Sequence, residues 1–342
     1  MLFRLGVLSV FAAGLMLAGD WNPRLAANYL DARQKQWFDW PAASAGTGSA
    51  CISCHTNLPY LVARPALRRA LGESQPTPYE ARFLEVLRTR AEKQTAADMF
   101  PKSKDPSQAA GAETIFTAWI LSTQEPKAET TRLAFDRMWS MQIRDGKSKG
   151  SWAFFELDRD PWETTGASPY FGAALAALAV GNAAAEYRAR PEVADLIGYL
   201  QREYPAQSLH NRLFALWAST ALRDAVPEAM RKATVEEIWR GQQPDGGWTN
   251  ESIGPWKKRD SAPAASGSNS YSTALVAFVL EKTGVPHSNP ALERALAWLR
   301  AHQDREGGFW AADSMNKQYP PDSMQVQFMR DAATSFAVLA LL

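Results

Sequence analysis

The chain has 342 residues, 46% of them apolar, with a mean hydropathy of −0.31 and 37 basic against 36 acidic side chains. That length exceeds one usual compact domain, so one large repeat-built domain or two domains are expected, with a sizeable core. A net charge of +1 excludes the basic footprint that displaces phosphate counterions, and with it a nucleic-acid partner.

The first segment, "MLFRLGVLSVFAAGLMLAGD", carries one early charge, Arg4, and then an apolar run from Leu5 to Ala18. Fourteen residues are short for the ~20 that cross a bilayer and within the range of a signal peptide. Residues 1–20 therefore read as a signal peptide or a short retained anchor. Ala18 suits a cleavage site, while Met16 stands where a small residue is preferred. Either outcome places the body of the protein outside the cytoplasm, in the periplasm, and a retained anchor would associate it with the membrane. No cysteine closes the apolar run, which excludes a lipoprotein.

Residues 21–109 contain both cysteines of the chain, in "ACISCHTNLPY". A Cys51–Cys54 disulfide would close a tiny loop and constrain little. Two thiols and one imidazole fall short of a four-ligand structural zinc site. The reading that uses all three residues is haem c, with thioethers from Cys51 and Cys54 and His55 as the proximal iron ligand. The spacing lets two sulfurs reach one edge of the porphyrin while the next side chain turns beneath the iron. Such attachment occurs outside the cytoplasm, in agreement with the N-terminal segment. Met99, in "AADMFPKSK", is the first candidate for the distal ligand and His210, in "QSLHNRL", the second. An open position is the alternative. Met99 also suits a gap-filling core position and His210 a hydrogen-bonded one.

From residue 110 onward a two-helix unit recurs. A first helix ends in Gln, a loop carries Gly and Trp, and an Ala/Leu-rich helix follows. The units read "MQIRDGKSKGSW", "GQQPDGGW" and "HQDREGGFW", each followed by an apolar stretch such as "FGAALAALAV" or "STALVAFVL". The glutamines Gln142, Gln201, Gln242 and Gln303 are spaced by 59, 41 and 61 residues, and the unit at Gln201 lacks Gly-x-Trp. A weaker unit joins "ARFLEVLRTRAEKQ" to "AETIFTAWILST". Helices apolar all round must be buried, so they form an inner layer wrapped by the amphipathic first helices. The Gln and Trp are expected to tie neighbouring turns together, a stabilising role.

The stretches "QQPDGGW" and "HQDREGGFW" resemble the QW repeats of the squalene-hopene cyclase and protein prenyltransferase superfamily, over roughly residues 110–342. The resemblance implies an all-α fold, an α/α toroid of helix pairs in two concentric layers. It also implies chemistry that the residues do not match. Cyclases use an Asp-x-Asp-Asp acid, but "LDRDPWE" offers Asp158 and Asp160 with Pro161 in the third position. Prenyltransferases hold zinc through Asp, Cys and His, and both cysteines here lie upstream.

Polar and aromatic residues in loops before the inner helices are the expected lining of a cavity mouth: Glu113, Trp162 with Glu163, His210 with Asn211 and Arg212, Trp256 with Asp260, and Asn269 with Tyr271. Each also suits a helix cap or a solvent ion pair. The loop "GPWKKRDSAPAASGSNSY" has the composition of a mobile lid. Four functions follow from these features. The first is an exported c-type haem protein passing electrons to an extracytoplasmic partner, with the toroid as a scaffold for that partner or an apolar small molecule. The others are a haem oxidoreductase acting on an isoprenoid or quinol, a divergent terpene cyclase using Asp158 or Asp160, and a non-enzymatic binding protein. The helices before residue 110 either complete a small cytochrome or dock on the toroid.

Overall fold

Every second helix of the chain is buried on nearly all sides, and that alternation sets the architecture. The computed structural model describes residues 21–43, 49–93, 105–257, 267–315 and 317–342. Its longer helices run in chain order as α1 (Pro23–Asp39), α2 (Asn57–Ala70), α3 (Pro78–Lys93), α4 (Pro106–Gln124), α5 (Glu129–Ser140), α6 (Ser168–Asn182), α7 (Pro191–Glu203), α8 (Leu209–Ser219), α9 (Glu228–Arg240), α10 (Ser270–Lys282), α11 (Pro290–Ala301) and α12 (Phe328–Leu341). Even-numbered helices form the inner layer. In α6 every residue from Tyr170 to Gly181 is buried, and the same holds from Ala109 to Ser122 in α4 and from Ser270 to Leu280 in α10. Odd-numbered helices are amphipathic and bury one stripe, as α7 does with Val193, Leu196, Tyr199 and Leu200. Isolated bridges such as Arg159–Glu163 and Gln303–Trp310 represent the extended pairing. No described helix is long and apolar enough to cross a membrane.

The inner helices close a ring. Each packs on its successor from α2 to α12, and α12 returns to α2. The all-α toroid expected from the repeats is what the chain forms. Helices α1 to α3 belong to it: α2 lies between α12 and α4, while α1 covers α2 and α12 from outside. Among the described residues the ring thus starts at Pro23, ahead of residue 110, and its longer helices form six pairs.

Local sequence explains where the helices begin. Asn22 Oδ1 accepts from the Arg24 and Leu25 amides, and Asp105 Oδ1 from Ser107 and Gln108, each ahead of a proline at the first helical position. The Gln–Gly–Trp units then join the outer helices. Gln142 Nε2 donates to the Gly150 carbonyl (3.3 Å) and to the Glu192 carbonyl in the first turn of α7 (3.0 Å). Gln242 Nε2 does the same to Gly246 (2.9 Å) and Ala291 at the start of α11 (2.7 Å). Gln303 Nε2 bridges Gly308 (2.9 Å) to Asn22 (3.0 Å), which sews the last outer helix to the first. Trp152, Trp248 and Trp310 are fully buried, and each indole N–H donates to the preceding outer helix, at Met138 (2.7 Å), Ile238 (2.8 Å) and Leu299 (2.7 Å). The unit without Gly-x-Trp keeps its glutamine bridge, from Gln201 Nε2 to the Asp224 carbonyl (2.7 Å).

Candidate functional site

The first turns of α2, α8, α10 and α12 converge with the loop before α6 at one end of the ring. Cys51, Cys54 and His55 lie in the short connection that enters α2. That connection is pinned at several points. Trp37 Nε1 donates to the Cys51 carbonyl (2.9 Å), Asn57 Oδ1 accepts from the Ser53 amide (2.9 Å), and Asn57 Nδ2 donates to Gln34 Oε1 (2.9 Å). Arg90 of α3 braces the residues just upstream through the Ala50 carbonyl, and Glu113 of α4 forms an ion pair with Arg90. Glu113 is thus buried as the counter-charge of a brace and does not line the mouth.

Both thiols are free. Cys51 is half-buried and Cys54 buried. Burial pushes the Cys51 thiol up, with Arg90 opposing, and pushes Cys54 well above the ordinary thiol range. Cys54 faces a small apolar cavity inside the ring, of about 10 Å³, walled by Trp119, Phe171, Phe214, Trp217 and Phe336.

His55 has a defined tautomer. Its Nδ1 lies 2.9 Å from Thr56 Oγ1, and Thr56 Oγ1 lies 2.8 Å from Asp331 Oδ2. Asp331 is buried and is held by Arg33 through two bonds (2.7 and 2.9 Å) and by the Tyr29 hydroxyl (2.7 Å). A carboxylate so held can only accept, so the single Thr56 proton goes to Asp331, and Thr56 Oγ1 must accept from His55 Nδ1–H. The Nε2 lone pair is therefore left open, with no hydrogen-bond partner among the described residues. Burial, with Arg33 and Arg159 nearby, lowers the His55 pKa to about 3, so the ring stays neutral. The imidazole stacks on Phe328 (centroids 3.6 Å apart, 16° between planes) and meets the Trp162 ring at 5.7 Å. It borders a cleft of about 40 Å³ with Arg159, Asp160, Glu163, Tyr319 and Gln325. Glu163 has its pKa raised to about 7 by burial, with Arg159 opposing.

His210 is differently placed. Trp162 packs edge-on against Tyr271 (5.5 Å, 77°), and Tyr271 lies between Trp162 and His210. His210 Nδ1 lies 3.2 Å from Asn211 Oδ1, whose amide nitrogen is fixed by donating to the Ala167 carbonyl (3.1 Å). Nδ1 is thus the donor, and Nε2 accepts from the Tyr271 hydroxyl (2.8 Å). Fully buried, with its pKa lowered to about 3 by that burial, His210 has both nitrogens engaged and offers no lone pair to a second iron position. The alternative distal ligand read from sequence does not stand in this arrangement. Met99 and Asp260 lie outside the described residues.

The other expected lining residues divide. Trp162, Trp256 and Tyr271 are brought together around His210, the Trp256 ring at 5.6 Å. Arg212 turns outward to Glu237 of α9 through two bonds (2.7 and 2.6 Å). Asn269 caps α10 through the Tyr271 amide (2.8 Å). Asp158 pairs with the Lys257 ammonium, and Asp160 accepts from the Lys257 amide (2.9 Å) and the Thr164 hydroxyl (2.5 Å). The two acids that a cyclase would need therefore hold mouth loops together. Among the described residues no three His, Cys, Asp or Glu side chains are grouped to hold a bare metal ion. Sequence reasoning missed Thr56, Asp331, Arg33 and Phe328. The available signal was Asp331, a charge inside an otherwise apolar inner helix.

Residues 203–342 match the family model of the squalene-hopene cyclase C-terminal domain. With the helix-pair ring, this makes the fold a squalene-hopene cyclase-like α/α toroid. The matched stretch carries His210, Tyr271 and Asp331, and not Cys51, Cys54 or His55. No curated protein matches the chain. Solved structures similar to it include a glycosidase variant, 12% identical with a TM-score of 0.48, covering 94% of this chain and 98% of that one. A glycosyl hydrolase family 88 protein from Bacteroides vulgatus is 13% identical, with a TM-score of 0.34, covering 95% and 91%.

Proposed function

We propose that the protein is an exported c-type haem protein that passes electrons to an extracytoplasmic partner, with the toroid as its scaffold. The observation that carries this reading is His55 Nε2, left open by the Thr56–Asp331 hydrogen bonds next to the free thiol of Cys54 and four residues after that of Cys51. Metal-bound histidines characteristically donate their other ring nitrogen to such a second partner. Thiol–disulfide chemistry, the other use of Cys-x-x-Cys at a helix start, needs a lowered thiol pKa, and burial raises both here. Cys51 and Cys54 would hold the porphyrin and His55 its iron. The haem would supply one-electron chemistry. The chain's own contribution is a neutral, oriented imidazole against Phe328 and an aromatic wall at the ring mouth.

The test is the absorption spectrum of protein exported together with haem-attachment machinery. The expected result is a sharp reduced alpha band from pigment that resists acid-acetone extraction. Cys51→Ser/Cys54→Ser should lose the covalent pigment, while His55→Ala should keep it with a changed spectrum. Colourless wild-type protein overturns the reading.

A further inference from the structure

Asp331 sits 275 residues from Thr56 in the chain, yet it accepts from the Thr56 hydroxyl, which is the side-chain partner of His55 Nδ1. It is 1% exposed in an inner helix whose neighbouring positions, Ala332, Ala333 and Phe336, are buried and apolar. Three residues from two elements hold it there: Arg33 and Tyr29 from α1, and Thr56 from the turn entering α2. Arg33 neutralises its charge, and one carboxylate oxygen remains shared with the threonine hydroxyl. The result is a directed chain from His55 Nδ1–H to Thr56 Oγ1–H to the carboxylate, in which each group has one available role. A group needed only to close the ring would be satisfied by the Arg33 pair alone.

We infer that Thr56 and Asp331 are positioning residues for His55, holding its imidazole in the Nδ1–H tautomer so that Nε2 faces the ring mouth as a ligand atom. The consequence for iron rests on the haem reading above; the tautomer does not. Hydrogen bonding to a carboxylate through the hydroxyl raises the basicity of the imidazole, as outer partners of metal ligands do.

Thr56→Val is the informative variant, because it keeps the side-chain volume and leaves the Arg33–Asp331 pair in place. Ring ¹⁵N shifts of His55 in the full chain before haem attachment are expected to report the Nδ1–H form in the wild type. In Thr56→Val the preference for that form is expected to fall roughly tenfold or more, the worth of a hydrogen bond in a charge-assisted chain. Thr56→Ser, which keeps the hydroxyl, should restore it. In haem-loaded protein the reduction potential should rise in Thr56→Val and return in Thr56→Ser. A wild-type His55 in the Nε2–H form overturns the inference without any variant. Unchanged tautomer and potential in a folded Thr56→Val protein also overturn it, while leaving the haem reading in place. Protein that takes no haem but shows the Thr56-dependent tautomer would sink the functional reading and keep this one.

Discussion

Burial acts in opposite senses on the ionisable groups at the ring mouth. It holds His55 and His210 neutral as bases and lifts Glu163 toward a neutral acid, with its pKa at about 7. The Glu163 value fixes the sign of a pH effect. A folded-state pKa above the unfolded carboxyl range of ~4.3 means that the native state binds the proton more tightly. The contribution to stability is whole below pH ~4.3 and is lost as pH climbs through about 7. Glu163→Gln cannot lose it. Between pH 5 and pH 8 the variant should therefore gain on the wild type by roughly 1–3 kcal/mol, from the size of the shift. Urea midpoints of both proteins at the two pH values measure this. A gap that does not change with pH would show that Glu163 is solvated. At this scale the sequence was informative where chemistry is local. Cys51, Cys54 and His55 stand out as candidates by their spacing, whereas Thr56 is unremarkable without Asp331, and nothing in the sequence brings those two together.

The repeated loops work as joints between outer helices, and the strictest joint is the last. Gly308 has φ of +74°, and a Cβ there would lie 2.3 Å from the Leu25 backbone carbon. The joint needs both features, because Gln303 can reach Asn22 only if the loop lies flat on the start of α1. Gly72 is a useful contrast: its φ is +70°, but a Cβ there would meet open space. Gly72→Ala should cost about 1–2 kcal/mol for the left-handed backbone alone. Gly308→Ala adds the collision with backbone that cannot rotate away and should cost at least twice as much, on the order of 3–4 kcal/mol. Denaturant titrations of both variants compare the two, and equal losses would mean that the α11–α1 joint gives way easily. The Gln–Gly–Trp motif was legible as a tie because amide and indole have few other reasons to recur around a glycine. Its partner in the first pair was not, since α1 supplies only the receiving Asn22.

The ring as a whole depends on helices that do not look like the rest of it. Inner helices α4, α6 and α10 betray their position by being apolar on all sides. Helix α2 occupies an equivalent place but carries Arg64, buried and paired with Asp31 (3.1 Å) and Glu73 (2.8 Å). Charge that is neutralised in place hides burial from any reading of composition, which is why the sequence left open whether residues 21–109 form a small cytochrome or dock on the toroid. The packing has the described helices of that segment docked on the rest of the ring. A chain beginning at residue 105 would lack α1, α2 and α3, leaving bare the faces of α12 and α4 on which α2 packs. It would also strand Asp331 in an apolar helix without Arg33, Tyr29 or Thr56. Breaking one buried pair in this way costs about 3–5 kcal/mol, a large part of the 5–15 kcal/mol that typically holds a native chain. Residues 105–342 should therefore fail to unfold cooperatively and should bind an apolar dye, whereas residues 21–342 show one cooperative transition. Asp331→Leu in the short chain, which removes the stranded charge, should recover some helicity without recovering cooperativity, because the ring would still be open between α12 and α4. A sharp, dye-free transition of the unmodified short chain would instead establish that the toroid closes without its first pair.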